Sequence, residues 1–119
     1  MRRWTQEKIR KYIRSDAVNK NLNIVHQNRH IRESGDYREG RSYLYLTIDE
    51  IKILINQYHG TGEIRFSRAG DWIEKEFITL NKSIGVHVDN ITGVKTITNS
   101  FAIHYSKHRG AHIVPSRPR

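Results

Sequence analysis

Apolar side chains in the first part of the chain recur with the period of an α-helix. From residue 5 to about residue 14, the apolar positions Ile9, Tyr12 and Ile13 fall on one stripe, and basic residues occupy most of the other positions. This spacing predicts a short amphipathic helix that buries one face.

A second helix is predicted from a capping box at residues 47–50. The hydroxyl of Thr47 and the carboxylate of Glu50 can each accept from a backbone N–H that the first helical turn leaves unpaired. Gly60 then supplies a left-handed stop. The buried stripe of this helix consists of Ile48, Ile51, Leu54, Ile55 and Tyr58.

Residues 15–46 have no sustained period, and we expect a long irregular connection with a short helix near residues 15–20. Residues 23–26 are compatible with a short strand or with the lead into a loop. His26 and His30 would share a face only in a helix, and the asparagines of this segment argue against a stable one.

After residue 62 the period changes to two, which is typical of half-buried strands. Strands are expected at residues 63–67, 72–80, 84–89 and 94–98, followed by a terminal hairpin. Helices first and antiparallel strands afterwards predict an α+β fold, with N-terminal helices packed on one face of a four- to five-stranded antiparallel sheet. The other face would stay free for a ligand. We expect a single domain over residues 1–119, with residues 116–119 as a frayed tail.

The terminal hairpin contains the most informative pattern. A three-residue loop at residues 108–110 would place Tyr105 opposite Ile113 on the core face. On the other face, His104 and His112 would then be diagonal neighbours, roughly 7–8 Å apart at the backbone. This placement depends on the length of the turn.

Charge and cysteine content narrow the choice of function. The chain has 21 Lys and Arg against 12 Asp and Glu, a net charge of +9, which favours a polyanionic partner such as nucleic acid. The absence of cysteine excludes disulfides, thiolate zinc sites and cysteine nucleophiles. No run of residues is long and apolar enough to span a bilayer, so we expect no membrane insertion.

Two histidines beside cationic groups suit metal-free cleavage of RNA. This reaction needs a base for the ribose 2′-hydroxyl, an acid for the departing 5′-oxygen and cations for the developing charge. His104 and His112 could transfer protons and Lys107 could stabilise charge, while His30 and Arg29 could lean over the sheet. The alternatives are that the paired histidines are ordinary exposed strand residues and that His30 is bonded to the backbone of a loop.

Other features have simpler explanations. The spacing of His104, His108 and His112 would converge on a metal only in a helix, so no metal site is expected. Residues 60–62 are explained by a helix stop and a turn rather than by a phosphate loop. Residues 74–76 are most simply a solvated strand edge.

Several segments together resemble the polymorphic toxin type 50 domain. They are Arg29-His-Ile31, Tyr58-x-Gly-Thr-Gly-Glu63, Gly70-x-Trp72 followed by Lys75-Glu76, Gly85-Val86, Thr92-Gly93, Ile103-His-Tyr-Ser-Lys107 and Gly110-x-His-Ile-Val-Pro115. The resemblance spans about residues 24–115. It implies a ribonuclease of the barnase–EndoU–colicin–RelE type of fold.

The resemblance also implies roles for individual residues. Its catalytic positions correspond to His30, His104, Lys107 and His112. The substrate-binding positions that we expect are Arg29, Ser106, Arg109 and Lys75, and the carboxylates of Glu63 and Glu76 are weaker candidates.

The resulting hypothesis is a monomeric, cofactor-free endoribonuclease toxin that leaves a 2′,3′-cyclic phosphate and a 5′-hydroxyl. We expect it to be exported within a larger bacterial toxin or a phage-associated protein, to act on RNA (transfer RNA being one candidate) in the target-cell cytoplasm, and to be neutralised by an acidic immunity protein. The alternatives are a non-catalytic nucleic-acid-binding module of a phage head or mobile-element protein, and a protein-interaction domain with a basic face.

Overall fold

The computed structural model describes residues 4–119, in which three helices and seven strands form an α+β fold with two antiparallel sheets. The helices are α1 (Gln6–Arg14), α2 (Ile24–Asn28) and α3 (Ile48–Tyr58). The strands are β1 (Tyr43–Leu44), β2 (Glu63–Phe66), β3 (Trp72–Thr79), β4 (Gly85–Val88), β5 (Lys95–Thr98), β6 (Ser100–Ser106) and β7 (Gly110–Ser116).

The two helices predicted from periodicity are confirmed, and local capping explains where they begin. The Thr5 side chain accepts from the backbone N–H of Lys8 at the start of α1. Both hydrogen bonds of the predicted capping box are present at the start of α3, between Thr47 and Glu50. Gly60 follows α3 with a φ of 77°, the left-handed conformation expected of a glycine stop.

The four-stranded sheet has the order β2-β3-β6-β7 and supplies the main core. One of its faces is covered by α1 and α3, in agreement with the predicted layering. The fully or nearly fully buried side chains of this core include Ile9, Ile13, Ile51, Ile55, Ile78, Phe101, Ile103 and Ile113.

The segment that connects α1 to α3 differs from the expectation. Residues 15–20 are not helical, and the short helix lies instead at Ile24–Asn28. The Asn23 side chain accepts from the backbone N–H of His26 at 3.2 Å. The asparagine that seemed to oppose a helix therefore caps one.

A second sheet, with the order β1-β4-β5, was not predicted. The reason is a bend at Asn99, between the end of β5 and the start of β6. The Asn99 side chain donates to the carbonyl of Leu80 at 3.0 Å, and the backbone N–H of Leu80 donates to the carbonyl of Asn99 at 2.9 Å. Because the chain turns there, β5 pairs with β4 and leaves the larger sheet.

The edge of β7 is covered by the segment that leads into and through α2. Backbone hydrogen bonds of 2.8 Å join Ala111 to Asn21 and to Asn23. One helical turn later, the Gln27 side chain donates to the carbonyl of Ile113 at 2.9 Å and accepts from its N–H at 2.7 Å. Gln27 is fully buried, so this amide fixes α2 against the sheet.

Glu76 does not lie on a solvated strand edge as predicted. Strand β3 is paired on both sides, and the Glu76 side chain is fully buried. Its carboxylate accepts from the backbone N–H of Gly60 at 3.0 Å, from that of Gly62 at 2.7 Å and from the Tyr105 hydroxyl at 2.8 Å. Glu76 is thus an internal anchor for the loop after α3.

The C-terminal residues also differ from the predicted frayed tail. Ser116 is the last residue of β7, and Arg117 forms an ion pair of 3.1 Å with Asp89. The Arg119 guanidinium pairs with the carboxylate of Glu63. These contacts place two cations of the C-terminus against the sheets.

Candidate active site on the open sheet face

The face of the four-stranded sheet that points away from α1 and α3 presents a pair of histidines. His104 on β6 and His112 on β7 are directly opposite each other, and their ring centroids are 4.9 Å apart. Both side chains are half-buried. The predicted sharing of one sheet face is thus found.

The predicted register of this hairpin is wrong by two residues. The turn consists of residues 107–109, and Gly110 pairs with Ser106 at a φ of 87°. Tyr105 is therefore opposite Ala111 rather than Ile113. Because a shift of two residues keeps every side chain on its face, His104 and His112 remain together and come closer than diagonal neighbours would.

Helix α2 and the turn after it bring two more histidines to this pair. The His26 ring centroid is 5.3 Å from that of His112 in an edge-on arrangement. The His30 ring is 6.2 Å from His112 and nearly parallel to it, at an angle of 14°. These four side chains, His26, His30, His104 and His112, are called the histidine cluster below.

The tautomer of His30 follows from its backbone partner. Its Nδ1 lies 2.9 Å from the carbonyl oxygen of Ser42. A carbonyl oxygen can only accept, so Nδ1 carries the hydrogen in this contact. In the neutral ring the lone pair is then on Nε2, which can accept a proton.

The environment lowers the pKa of every histidine in the cluster in the unliganded protein. Burial, followed by the charge of Lys75, lowers the pKa of His104 to about 4. Burial and the neighbouring histidines lower the pKa of His112 to about 3. The pKa values of His26 and His30 are lowered chiefly by burial, and in both cases the charge of Arg29 adds to the effect. An anion bound among these rings would raise all four pKa values, because it favours the charged form.

A cationic cleft of about 670 Å³ adjoins His104. Lys75 is the direct cross-strand neighbour of His104, and both line this cleft. Arg65 lies 3.7 Å above the ring of Phe77, which holds its guanidinium along the cleft. The remaining charged or titratable residues that line the cleft are His87, Asp89, Arg117 and Arg119.

The structure brings together some of the predicted site residues and separates others. Lys75 lies beside His104, and Arg29 and Arg109 are close enough to lower histidine pKa values electrostatically. Lys107 and Ser106, by contrast, line a separate groove near α1. The lysine beside the paired histidines is thus Lys75 and not Lys107.

Sequence reasoning missed the contributions of His26, Arg65 and His87. The period-two pattern contained a signal for Arg65, because Ile64 and Phe66 were assigned inward and the residue between them must face outward. The signal for His26 was its spacing of four residues from His30, which places both on one face of a helix, but the asparagines of the segment argued against that helix. The position of His26 depends on a helix of only five residues, which is too short to produce a recognisable period.

Within residues 4–119, no three His, Asp or Glu side chains are arranged to hold a metal ion. None of the helices in this part of the chain is long and apolar enough to cross a membrane.

The protein is therefore an α+β domain whose histidines are gathered on an open, cationic sheet face. The family model of bacterial toxin 50 (Ntox50) matches residues 22–115, a range that runs from the segment before α2 to β7 and includes the whole histidine cluster. The chain belongs to this family and is a bacterial toxin domain. Among curated proteins, none matches the chain.

Proposed function

We propose that this toxin domain is a metal-independent endoribonuclease. The observation that carries the proposal is the direct apposition of His104 and His112, with Lys75 beside them, on an open face rather than in the core. Two imidazoles at this distance can reach opposite sides of one phosphodiester. A net charge of +9 would hold the RNA backbone by releasing its counterions.

In the proposed reaction, one neutral imidazole removes the proton of the ribose 2′-hydroxyl and the 2′-oxygen attacks phosphorus. The bond from phosphorus to the 5′-oxygen breaks, and a second imidazole, protonated, donates its proton to that oxygen. The products are a 2′,3′-cyclic phosphate and a 5′-hydroxyl. Lys75 and Arg29 would stabilise the additional negative charge on the phosphate oxygens.

Substrate binding would also supply the protonated partner. In the free protein the low pKa values of His104 and His112 leave both rings neutral at pH 7. A phosphate between the rings raises both pKa values, and the repulsion between two imidazolium groups favours a single proton on the pair. This gives one acid and one base, as the reaction requires.

The test is cleavage of a synthetic RNA in the presence of EDTA by the wild type and by His104→Ala and His112→Ala. We expect each substitution to lower kcat by about 10²- to 10⁴-fold. His108→Ala is the matched control, because His108 is an exposed turn residue outside the cluster. Mass spectrometry of the fragments should find cyclic phosphate ends.

Full activity in both cluster variants, loss of wild-type activity on chelation, or 5′-phosphate ends would each refute this mechanism. Binding of RNA by the wild type without any cleavage would instead support a non-catalytic nucleic-acid-binding module.

The family membership also supports proposals about biological context. We propose that the domain is exported within a larger toxin or a phage-associated protein, that it acts on RNA in the cytoplasm of the target cell, and that its producer makes an immunity protein with an acidic surface. Growth arrest on expression of the wild type, but not of His104→Ala, with rescue by the co-expressed immunity protein, would support this assignment.

A further inference from the structure

The cationic cleft beside His104 continues along the open sheet face. Its floor beyond His104 is formed by Phe77, Ala102 and Val114, which are cross-strand neighbours on β3, β6 and β7. Ala102 precedes His104 by two residues, so both side chains lie on the same face of β6, about 7 Å apart at the backbone. Residues 87–90 and 115–119 line the other sides of the cleft. The cleft therefore leads from the paired histidines to a floor one step further along the same strands.

Two guanidinium groups lie over this floor. Those of Arg65 and Arg119 are 3.7 and 5.9 Å from the centre of the Phe77 ring. Both form ion pairs with the single carboxylate of Glu63, which Arg65 contacts through Nε at 2.8 Å. The ring and the carboxylate thus orient the Arg65 guanidinium, while its two terminal amino groups have no hydrogen-bond or ion-pair partner in residues 4–119.

The cleft keeps an excess of positive charge. The four cations that line it are Lys75, Arg65, Arg117 and Arg119. Two carboxylates pair with them, because Glu63 binds two of the guanidinium groups and Asp89 binds Arg117 at 3.1 Å. Four positive and two negative charges leave an excess of two. The field of the cleft therefore favours a bound anion close to the paired histidines.

We infer that the cationic cleft is a second phosphate subsite, which binds the phosphodiester group next to the scissile one in single-stranded RNA, an inference that rests on the proposed ribonuclease function. A guanidinium can donate two parallel hydrogen bonds to phosphate oxygens, and the free amino groups of Arg65 offer this pair. The step of about 7 Å from His104 to Ala102 is comparable to the separation of successive phosphates in an extended RNA strand. A volume of about 670 Å³ suits a nucleotide-sized group rather than a duplex.

This arrangement gives the cations of the cleft separate roles. Lys75 is the cross-strand neighbour of His104 and acts on the scissile phosphate, as in the proposed reaction. Arg65 lies over Phe77, the cross-strand neighbour of Ala102, and therefore acts one step along the RNA strand. Loss of Arg65 should weaken only those substrates that carry a charged group at this second position.

Removing one charge from the protein and one from the RNA tests this inference directly. The substrates are 2′-O-methyl RNA tetranucleotides with one cleavable ribonucleotide, in which the linkage 5′ or 3′ of the scissile one is replaced by a neutral methylphosphonate. At one of these two positions we expect the replacement to lower kcat/KM of the wild type by about tenfold. Arg65→Gln should lower kcat/KM of the unmodified substrate by about the same factor, and the methylphosphonate should then change it by less than about threefold.

Two further variants complete the comparison. Arg117→Gln, at an exposed position on another side of the cleft, should also reduce the sensitivity to the methylphosphonate. Arg68→Gln removes the same charge from an exposed turn outside the cleft and should retain the full sensitivity. Melting temperatures check that all three variants are folded.

A second arm measures binding without turnover, by fluorescence anisotropy of the same oligonucleotides with fluorine in place of the reactive 2′-hydroxyl. The Kd values should show the same dependence on the modified linkage and on Arg65. No effect of the methylphosphonate at either position, an unchanged effect in Arg65→Gln, or equal losses in Arg65→Gln and Arg68→Gln would each overturn the inference. Binding that depends on both the linkage and Arg65, together with no cleavage of any RNA, would support the subsite and refute the ribonuclease proposal.

Discussion

Gln27 connects the fold to the histidine cluster, and replacing it with leucine should damage both. The substitution conserves the size of the side chain but removes its two hydrogen bonds to the backbone of Ile113. Gln27 is fully buried, so no water replaces them. An unsatisfied buried donor or acceptor costs about 1–3 kcal/mol. With two such groups and a small gain from the apolar side chain, we expect Gln27→Leu to lower the free energy of unfolding by about 3 kcal/mol.

The same substitution should loosen α2 and thereby change the titration of His112. Its pKa of about 3 depends on burial and on the neighbouring histidines, two of which α2 and its following turn supply. When α2 moves away, the His112 ring becomes more hydrated, and its pKa should rise towards 6.5. Urea denaturation measures the change in stability, and the imidazole nitrogen resonances measure the pKa.

Gln57→Leu is the control, because Gln57 is an exposed residue of α3 whose replacement should change stability by no more than about 0.5 kcal/mol. A loss below about 1 kcal/mol in Gln27→Leu, with unchanged titration of His112, would refute the argument that this amide fixes α2 to the sheet.

Three further predictions concern the buried carboxylate, pH and backbone strain. Glu76→Gln should lower the free energy of unfolding by about 3 kcal/mol, because three donors face its carboxylate, whereas Tyr105→Phe removes one donor and should lower it by only about 1.5 kcal/mol. Urea denaturation measures both losses, and equal losses would contradict this reasoning. The folded pKa values of His104 and His112, about 4 and about 3, lie below the value of 6.5 in the unfolded chain, so the unfolded state binds more protons between these values. The free energy of unfolding should therefore fall as pH drops from 7 to 4, by about 2 kcal/mol for each ring after allowance for solvent screening. Melting temperatures across this pH range should depend less on pH in the double alanine variant; an unchanged profile would count against the burial of these rings. Glu74→Gly should raise the free energy of unfolding by about 0.5–1 kcal/mol through relief of the positive φ, whereas Glu74→Ala should give no gain.

Elements specified by local sequence were predictable. The capping box at Thr47 and Glu50 fixes the start of α3 without help from the rest of the chain. The shared face of His104 and His112 follows from the period of two, which a register error of two residues does not disturb. The register itself was not predictable from the turn residues alone, because Gly110 forms the last pair of the ladder instead of belonging to the loop.

Elements that depend on tertiary contacts were not predictable. Helix α2 is stabilised by the contact of Gln27 with Ile113, which lies 86 positions away in sequence. The assignment of Lys75 as the neighbour of His104 requires knowledge of which strands pair, and the pattern of one strand does not contain this information. The second sheet likewise depends on the bend at Asn99, where side chain and backbone together bind Leu80.

The cover over the edge of β7 restricts how another protein can bind this domain. An exposed edge strand offers free backbone groups to which a strand of another chain can add, either as a specific partner or in aggregation. Here residues 21–27 already occupy those groups along the strand that carries His112. Another protein that binds beside His112 therefore has to do so through side-chain contacts over the open face, because strand addition to this part of β7 is already blocked.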